Sequence, residues 1–424
     1  MKHSVEEVSL KNGMKGLLIN VPNASVMSMR VQFRAGMRFA KKPELAEIAH
    51  VVEHLSFGAN SKFKNEQDYE AEFTKNGAYH NAWTSDYSVC YETECADFEW
   101  DRILDLKRLA ICEPRFNEEE LKSEKDTVRS ELTAYQNEYP RLIWPKLQQS
   151  IGEDVPSLPE RIKTLNNIEL KDIKEHYHRT HTSNNMRFII AGNINWHRKH
   201  EIIKNLEEWK LKEGERLEIP FDELHSSEAN LIRRKDASNI TFGFSWITPR
   251  HFTPAEIQAM GCLNHILTGT MNSKIFGKAR KKGLIYSIDS GVNSNTKFTS
   301  WDFEGEVNVE NSEPLFELIQ KEINRILTGE LKESDLELAK QYMLGRFQMS
   351  AQTVSQIADF YAETFFKNDE KEDFNLIPEL VKNVTKEKIV ELAREFADSG
   401  MKSIVAVSSC EKSVITYLNN YLTF

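Results

Sequence analysis

The chain has 424 residues, 40% hydrophobic and 28% charged, which suits two or more packed domains and excludes a disordered chain. Lys plus Arg total 55 against 65 for Asp plus Glu, and this net charge of -10 speaks against a nucleic-acid partner. No apolar run approaches the ~18 residues that cross a bilayer, and Met1-Lys2-His3-Ser4 opens without an apolar signal core, so no membrane partner and a cytoplasmic location are expected.

In chain order, residues 8–20 alternate between apolar and polar around a Lys11-Asn12-Gly13 turn, and residues 26–35 alternate again, a strand pattern. Pro43 then opens a helix with Leu45, Ile48, Ala49, Val52 and Leu55 as its apolar stripe, and Gly58 closes it. Asn117 is a good cap for a second long helix, with Glu118, Glu119 and Glu120 at its positive end, running towards Tyr135 before Pro140 bars much further extension. The run from Met186 to Asn193 is a strand, and the charged stretch that follows, broken by Pro220, is a linker. The expected division is a domain over 1–205, a linker over 206–228 and a second domain over 229–424. Cys90, Cys95, Cys112, Cys262 and Cys410 include no Cys-x-x-Cys pair, so they predict neither a disulfide framework nor a thiolate zinc site, but free thiols in a reducing compartment.

The two halves resemble each other. Pro43, His54 and Gly58 match Pro254, His265 and Gly269 at a constant offset of 211 residues. Residues 116–132 align with 331–347 at an offset of 215, and the strand from Met186 aligns with one from Lys402 at 216. The pattern predicts an α+β fold built twice, each half a set of strands and helices with a closing strand.

Chemistry concentrates in His50-Val51-Val52-Glu53-His54. His50 and His54, four apart on one helix, project from the same face and can grip one metal ion. Glu53 stands beside them as a carboxylate able to take a proton from a water that the metal activates. A catalytic zinc site takes three protein ligands and leaves one position open, so a third ligand is required. Glu131 on the second helix is the candidate, and Glu124, two turns earlier on the same face, can orient the site. The second half carries Gly261, Asn264 and His265 at the matching positions and Arg346 opposite Glu131, so only the first half can hold metal, one zinc per chain, and His265 is structural. A competing cluster, His176, His178 and His181, has no neighbouring carboxylate base and reads as solvated loop histidines.

With 76 residues between His54 and Glu131, these motifs resemble the pitrilysin and insulinase family of inverted-motif zinc peptidases over nearly the whole chain. The resemblance implies ligand roles for His50, His54 and Glu131, a general base in Glu53 and a supporting acid in Glu124. Asn81-Ala82-Trp83-Thr84 resembles the family's strand beside the metal, so Asn81 and Ala82 would face a bound peptide paired to its edge. Arg280-Lys281-Lys282-Gly283-Leu284-Ile285-Tyr286 resembles the segment whose arginine and tyrosine reach the substrate, Tyr286 steadying the oxyanion, with Arg280 one residue closer to Gly283 than the family spacing.

The fold so implied has two homologous domains, each a mostly antiparallel sheet with helices packed on one side. The implied function is hydrolysis of unfolded peptides in an enclosed chamber by a homodimer or with a paralogous second subunit. The rival expectations are a catalytically silent assembly or scaffold subunit of the same fold, and a peptide-holding chaperone.

Overall fold

The computed structural model describes residues 1–226, 229–409, 418 and 420, so Cys410 lies outside the described residues. The strands are β1 (Ser4–Ser9), β2 (Lys15–Asn20), β3 (Val26–Phe33), β4 (Tyr79–Thr84), β5 (Val89–Ala96), β6 (Met186–Gly192), β7 (Asn230–Arg233), β8 (Ile240–Thr248), β9 (Ile285–Ser294), β10 (Thr299–Val307) and β11 (Met401–Ser408). The helices of the first half are α1 (Ile48–Ser56), α2 (Glu66–Thr74), α3 (Trp100–Cys112), α4 (Glu118–Tyr135), α5 (Tyr139–Ser150), α6 (Leu158–Thr164), α7 (Leu170–Thr180) and α8 (Trp196–Glu207). Those of the second are α9 (Pro254–Leu267), α10 (Phe276–Lys281), α11 (Ser312–Leu327), α12 (Glu333–Met349), α13 (Val354–Asn368), α14 (Ile377–Lys382) and α15 (Lys386–Ser399).

The first sheet runs β1-β2-β6-β3-β5-β4 and the second β7-β11-β8-β10-β9. Apart from the extra hairpin strand β1, the two orders are the same, and in each the only parallel pairing among the described residues joins the first strand of the common set to the closing one, β2 to β6 and β7 to β11. Helices α4 and α12 begin 215 residues apart, the offset seen in the sequence. The chain is therefore α+β and duplicated.

The odd residues of β3, Met27, Met29, Val31 and Phe33, face a core shared with Ile103 and Leu104 of α3 and Ile202 and Leu206 of α8. Its even residue Arg30 turns the other way and pairs with Glu92 of β5 and Asp359 of α13. The opposite face of the sheet thus carries a helix as well, one whose sequence lies in the second half. The second sheet has the mirror arrangement: Ile143 and Leu147 of α5 pack on Val405 and Val407 of β11.

Accordingly, one compact unit comprises residues 1–134, 158–220 and 350–372, and the other 135–157, 221–349 and 373–424. Each unit thus takes one segment from the other half of the sequence, 350–372 in the first and 135–157 in the second. Pro140 does not stop the chain from being helical. It occupies the first turn of α5, where its missing N–H costs nothing, and Pro145 lies inside the same helix.

Candidate metal centre and active site

Every residue of α1 except the two histidines is buried, so the helix is fixed on all sides but one, and His50 and His54 occupy that side. From the sheet, Tyr91 donates or accepts a hydrogen bond with Ser56 at 3.1 Å, and Tyr91 in turn bonds His181 Nε2 at 3.0 Å. The end of α1 is tied to the start of α4 by Ala59 N, which donates to Glu120 Oε1 at 3.0 Å. Gly58 leaves room for that carboxylate, since a Cβ there would lie 2.9 Å from Glu120 Oε2 and push the end of the side chain aside. Asn117 caps α4 by accepting from Glu120 N at 2.9 Å.

This docking brings His50, His54 and Glu131 together. His50 Nε2 lies 3.3 Å and His54 Nε2 3.8 Å from Glu131 Oε2, and one ligand atom from each of the three residues lies within 4.8 Å of the others. Tetrahedral zinc with bonds of about 2.0–2.1 Å spaces its ligands by about 3.4 Å, so two imidazoles and a carboxylate in this arrangement suit it. Each histidine also has its other nitrogen held by a carboxylate: His54 Nδ1 by Glu124 at 3.0 Å, and His50 Nδ1 by Glu47 at 3.1 Å. Such bonds fix the tautomer that leaves Nε2 free to ligate. Among the described residues no other group of three His, Cys, Asp or Glu side chains converges in this way.

The charges are tuned by the same contacts. Burial pulls the His50 imidazole down, but hydrogen bonds with Glu131 and Glu47 outweigh it and hold its pKa at about 9. Burial likewise opposes the charged form of His54, and Glu124 and Glu131 raise it to about 10. Glu53 is only 7% exposed, and burial pushes its carboxyl above the ordinary range while Thr84 Oγ1 donates to its Oε2 at 3.0 Å. A carboxylate of raised proton affinity beside a metal site is suited to act as a base near neutral pH.

β4 ends its sheet, and its side chains alternate, with Tyr79, Asn81 and Trp83 exposed and His80, Ala82 and Thr84 half-buried. Asn81 thus lies on the exposed face and Ala82 packs against the core, both on the strand that carries Thr84. Tyr286 and Arg280 belong to the other unit. Tyr286 is the second residue of β9 and is 77% exposed, and the guanidinium of Arg280, at the end of α10, sits 4.5 Å from its ring centre.

His176 and His181 are buried rather than solvated, while His178 is exposed as expected, though on a helix and not a loop. His176 and His178 lie on α7 and His181 caps its end. His176 Nε2 donates to Ala35 O at 3.0 Å, and its burial depresses the imidazole pKa to about 3. His181 stacks on Phe33 and Tyr177. Their polar sequence context concealed two core histidines that brace α1 from behind. His265 is also structural in its contacts, stacked on Tyr342 at 3.9 Å. Sequence reasoning passed over Glu47, Arg161 and the bond from Thr84 to Glu53. Glu47, three residues before His50, was the one signal available.

Residues 15–154 match the family described as Insulinase (Peptidase family M16), and residues 167–343 match the Peptidase M16 inactive domain. The chain belongs to the M16 peptidase family. An uncharacterized zinc protease of Bacillus subtilis, YmxG, is 24% identical over 83% of this chain and 85% of its own length. An uncharacterized zinc protease of Rickettsia bellii is 24% identical over 96% and 98%. A solved protease from Helicobacter pylori shares the M16 fold with a TM-score of 0.81 at 18% identity, over 96% of this chain and 99% of that one. The M16 inactive domain matches the part of this chain in which Gly261 and Asn264 stand opposite His50 and Glu53. No helix among the described residues is long and apolar enough to cross a membrane.

Proposed function

We propose that this protein is a zinc-dependent endopeptidase acting on unfolded peptides, with one zinc per chain held by His50, His54 and Glu131. The observation that carries the proposal is the convergence of those three side chains beside a buried carboxylate, Glu53, tied to the strand at the sheet edge. When bound, zinc would polarise the scissile carbonyl and make a water more acidic. Glu53 accepts a proton as the water oxygen bonds to the carbonyl carbon, and returns it to the amide nitrogen as the C–N bond breaks. Glu124 keeps His54 oriented. The free edge of β4 pairs with the substrate backbone at Asn81 and Ala82, which selects chains able to become a strand. Tyr286 contributes a hydroxyl to the oxyanion, with Arg280 beside it. The same reading includes a homodimer that encloses the peptide, with a paralogous partner as the alternative result of gel filtration. The unpaired thiols of Cys90, Cys95, Cys112 and Cys262 support a reducing, cytoplasmic location.

The test is cleavage of a mixed pool of unfolded peptides by the wild type and Glu53→Gln, with bound zinc quantified in each. Cleavage by the wild type alone, with about one zinc in both, supports the assignment. Zinc in both without cleavage in either transfers the protein to a scaffold role, and absence of zinc from the wild type defeats the proposal.

A further inference from the structure

Glu47 is 1% exposed and immediately precedes α1. Its carboxylate is gripped by Arg161 of α6: Nε donates to Oε1, and an Nη donates to Oε2 at 3.2 Å. That same Oε2 accepts from His50 Nδ1 at 3.1 Å. The segment around α6 is itself fastened to this spot, since Glu47 N donates to Thr164 Oγ1 at 3.3 Å and Thr164 Oγ1 donates to Arg161 O at 2.8 Å.

A buried ion pair is a poor way to add stability, because taking both charges from water costs about as much as their attraction returns. What this pair achieves is different. Two guanidinium N–H groups hold the carboxylate in one orientation, with the oxygen that accepts from Arg161 Nη also turned to His50. Facing His50 Nδ1 it admits only the tautomer with hydrogen on Nδ1, with Nε2 directed at Glu131. His54 has an equivalent partner in Glu124, but that acid is on a neighbouring helix and partly open to solvent. His50 has the stiffer mounting.

We propose that the Glu47–Arg161 pair is the positioning device for His50, setting its tautomer and ring orientation for metal ligation. The inference rests on the zinc site proposed above. Removing one partner alone would strand a buried charge, so the informative proteins are two double variants of the full chain, each with the pair neutralised. Glu47→Gln with Arg161→Met keeps an acceptor for His50 Nδ1–H through the amide oxygen. Glu47→Ala with Arg161→Met removes it.

Zinc affinity is measured by competition with a chromophoric chelator, alongside the thermal midpoint of the metal-free proteins. The alanine double variant is expected to bind zinc roughly 10–100-fold more weakly than the glutamine one, the usual cost of losing the partner behind a ligating histidine. A purely structural pair would lower both midpoints and leave the two affinities equal, and that result overturns the positioning role while the wild type's zinc binding stands. A wild type that binds no zinc refutes the metal site itself, and the inference with it.

Discussion

Three arginines of the first half hold the C-terminus of α13. Arg34 donates to Lys367 O at 2.7 Å, Arg216 to Phe366 O at 2.5 Å, and Arg187 to both carboxylate oxygens of Asp369, one of them at 2.7 Å. The guanidiniums satisfy helix-end carbonyls and complement the negative end of the helix. They also crowd one another: burial, with Arg187 and Arg34 adding repulsion, depresses the Arg216 pKa to about 8. Asp369 opposes this excess of positive charge, and its carboxyl, despite burial, is held below the usual range by Arg187. Asp369→Asn should therefore be costly. Asparagine tolerates the left-handed backbone at this position, φ 58°, so the change isolates the charge. Breaking a buried pair costs about 3–5 kcal/mol, and because the Asp369 side chain is 32% exposed, about 2–3 kcal/mol is expected here. Urea unfolding followed by circular dichroism at pH 7 measures it. The folded carboxyl has the lower pKa, so its contribution is present above the unfolded value of about 3.9 and lost as pH falls below it, and the gap between wild type and variant should close there. A difference under about 0.5 kcal/mol at pH 7 would refute the charge-balance argument.

Because the metal-free imidazoles of His50 and His54 titrate at about 9 and about 10, both carry protons at pH 7 and must lose them to ligate. Zinc binding at pH 7 should release about two protons, and apparent affinity should rise with pH until near 10. Calorimetry in buffers of different ionisation enthalpy counts them, and release of fewer than about one would contradict the assignment. Thr84→Val removes a bond that favours the charged form of Glu53, so the acid limb of the kcat/KM profile should move to higher pH with folding intact. Leu147→Ala on α5, 3% exposed against Val405 and Val407, should cost about 2–5 kcal/mol in urea unfolding, and a cost under about 1 kcal/mol would mean that α5 is not part of that core.

Local rules began the first helix too early, since Pro43–Leu45 forms a separate 3-10 turn and α1 starts only at Ile48, but they sufficed for α4, whose cap Asn117 and acidic first turn lie side by side. The duplication was legible for the same reason: equal spacing of Pro43, His54 and Gly58 with their counterparts reflects equal lengths of helix and loop in both halves. Two kinds of feature stayed hidden. The bond from Arg161 to Glu47 spans 114 residues of chain, and nothing in either neighbourhood marks the other. The exchange of α5 and α13 was invisible because an amphipathic helix shows that it will be buried without showing against what. His176 and His181 were misjudged because imidazoles beside Arg179 and Thr180 look hydrated, whereas their hydrogen bonds to Ala35 and Tyr91 satisfy them in the core.

The exchange also sets a schedule for biosynthesis. The residues of the proposed zinc site are all made by residue 131, yet the sheet behind them lacks its second covering until α13, ending at Asn368, has left the ribosome. For most of translation that sheet face, with Arg30 lacking Asp359 and Arg187 lacking Asp369, must wait in an unfinished state, exposed to aggregation and to binding by chaperones. A gene cut at the linker would leave each product without a helix it needs, so the two halves of this duplicated chain are no longer separable as genes.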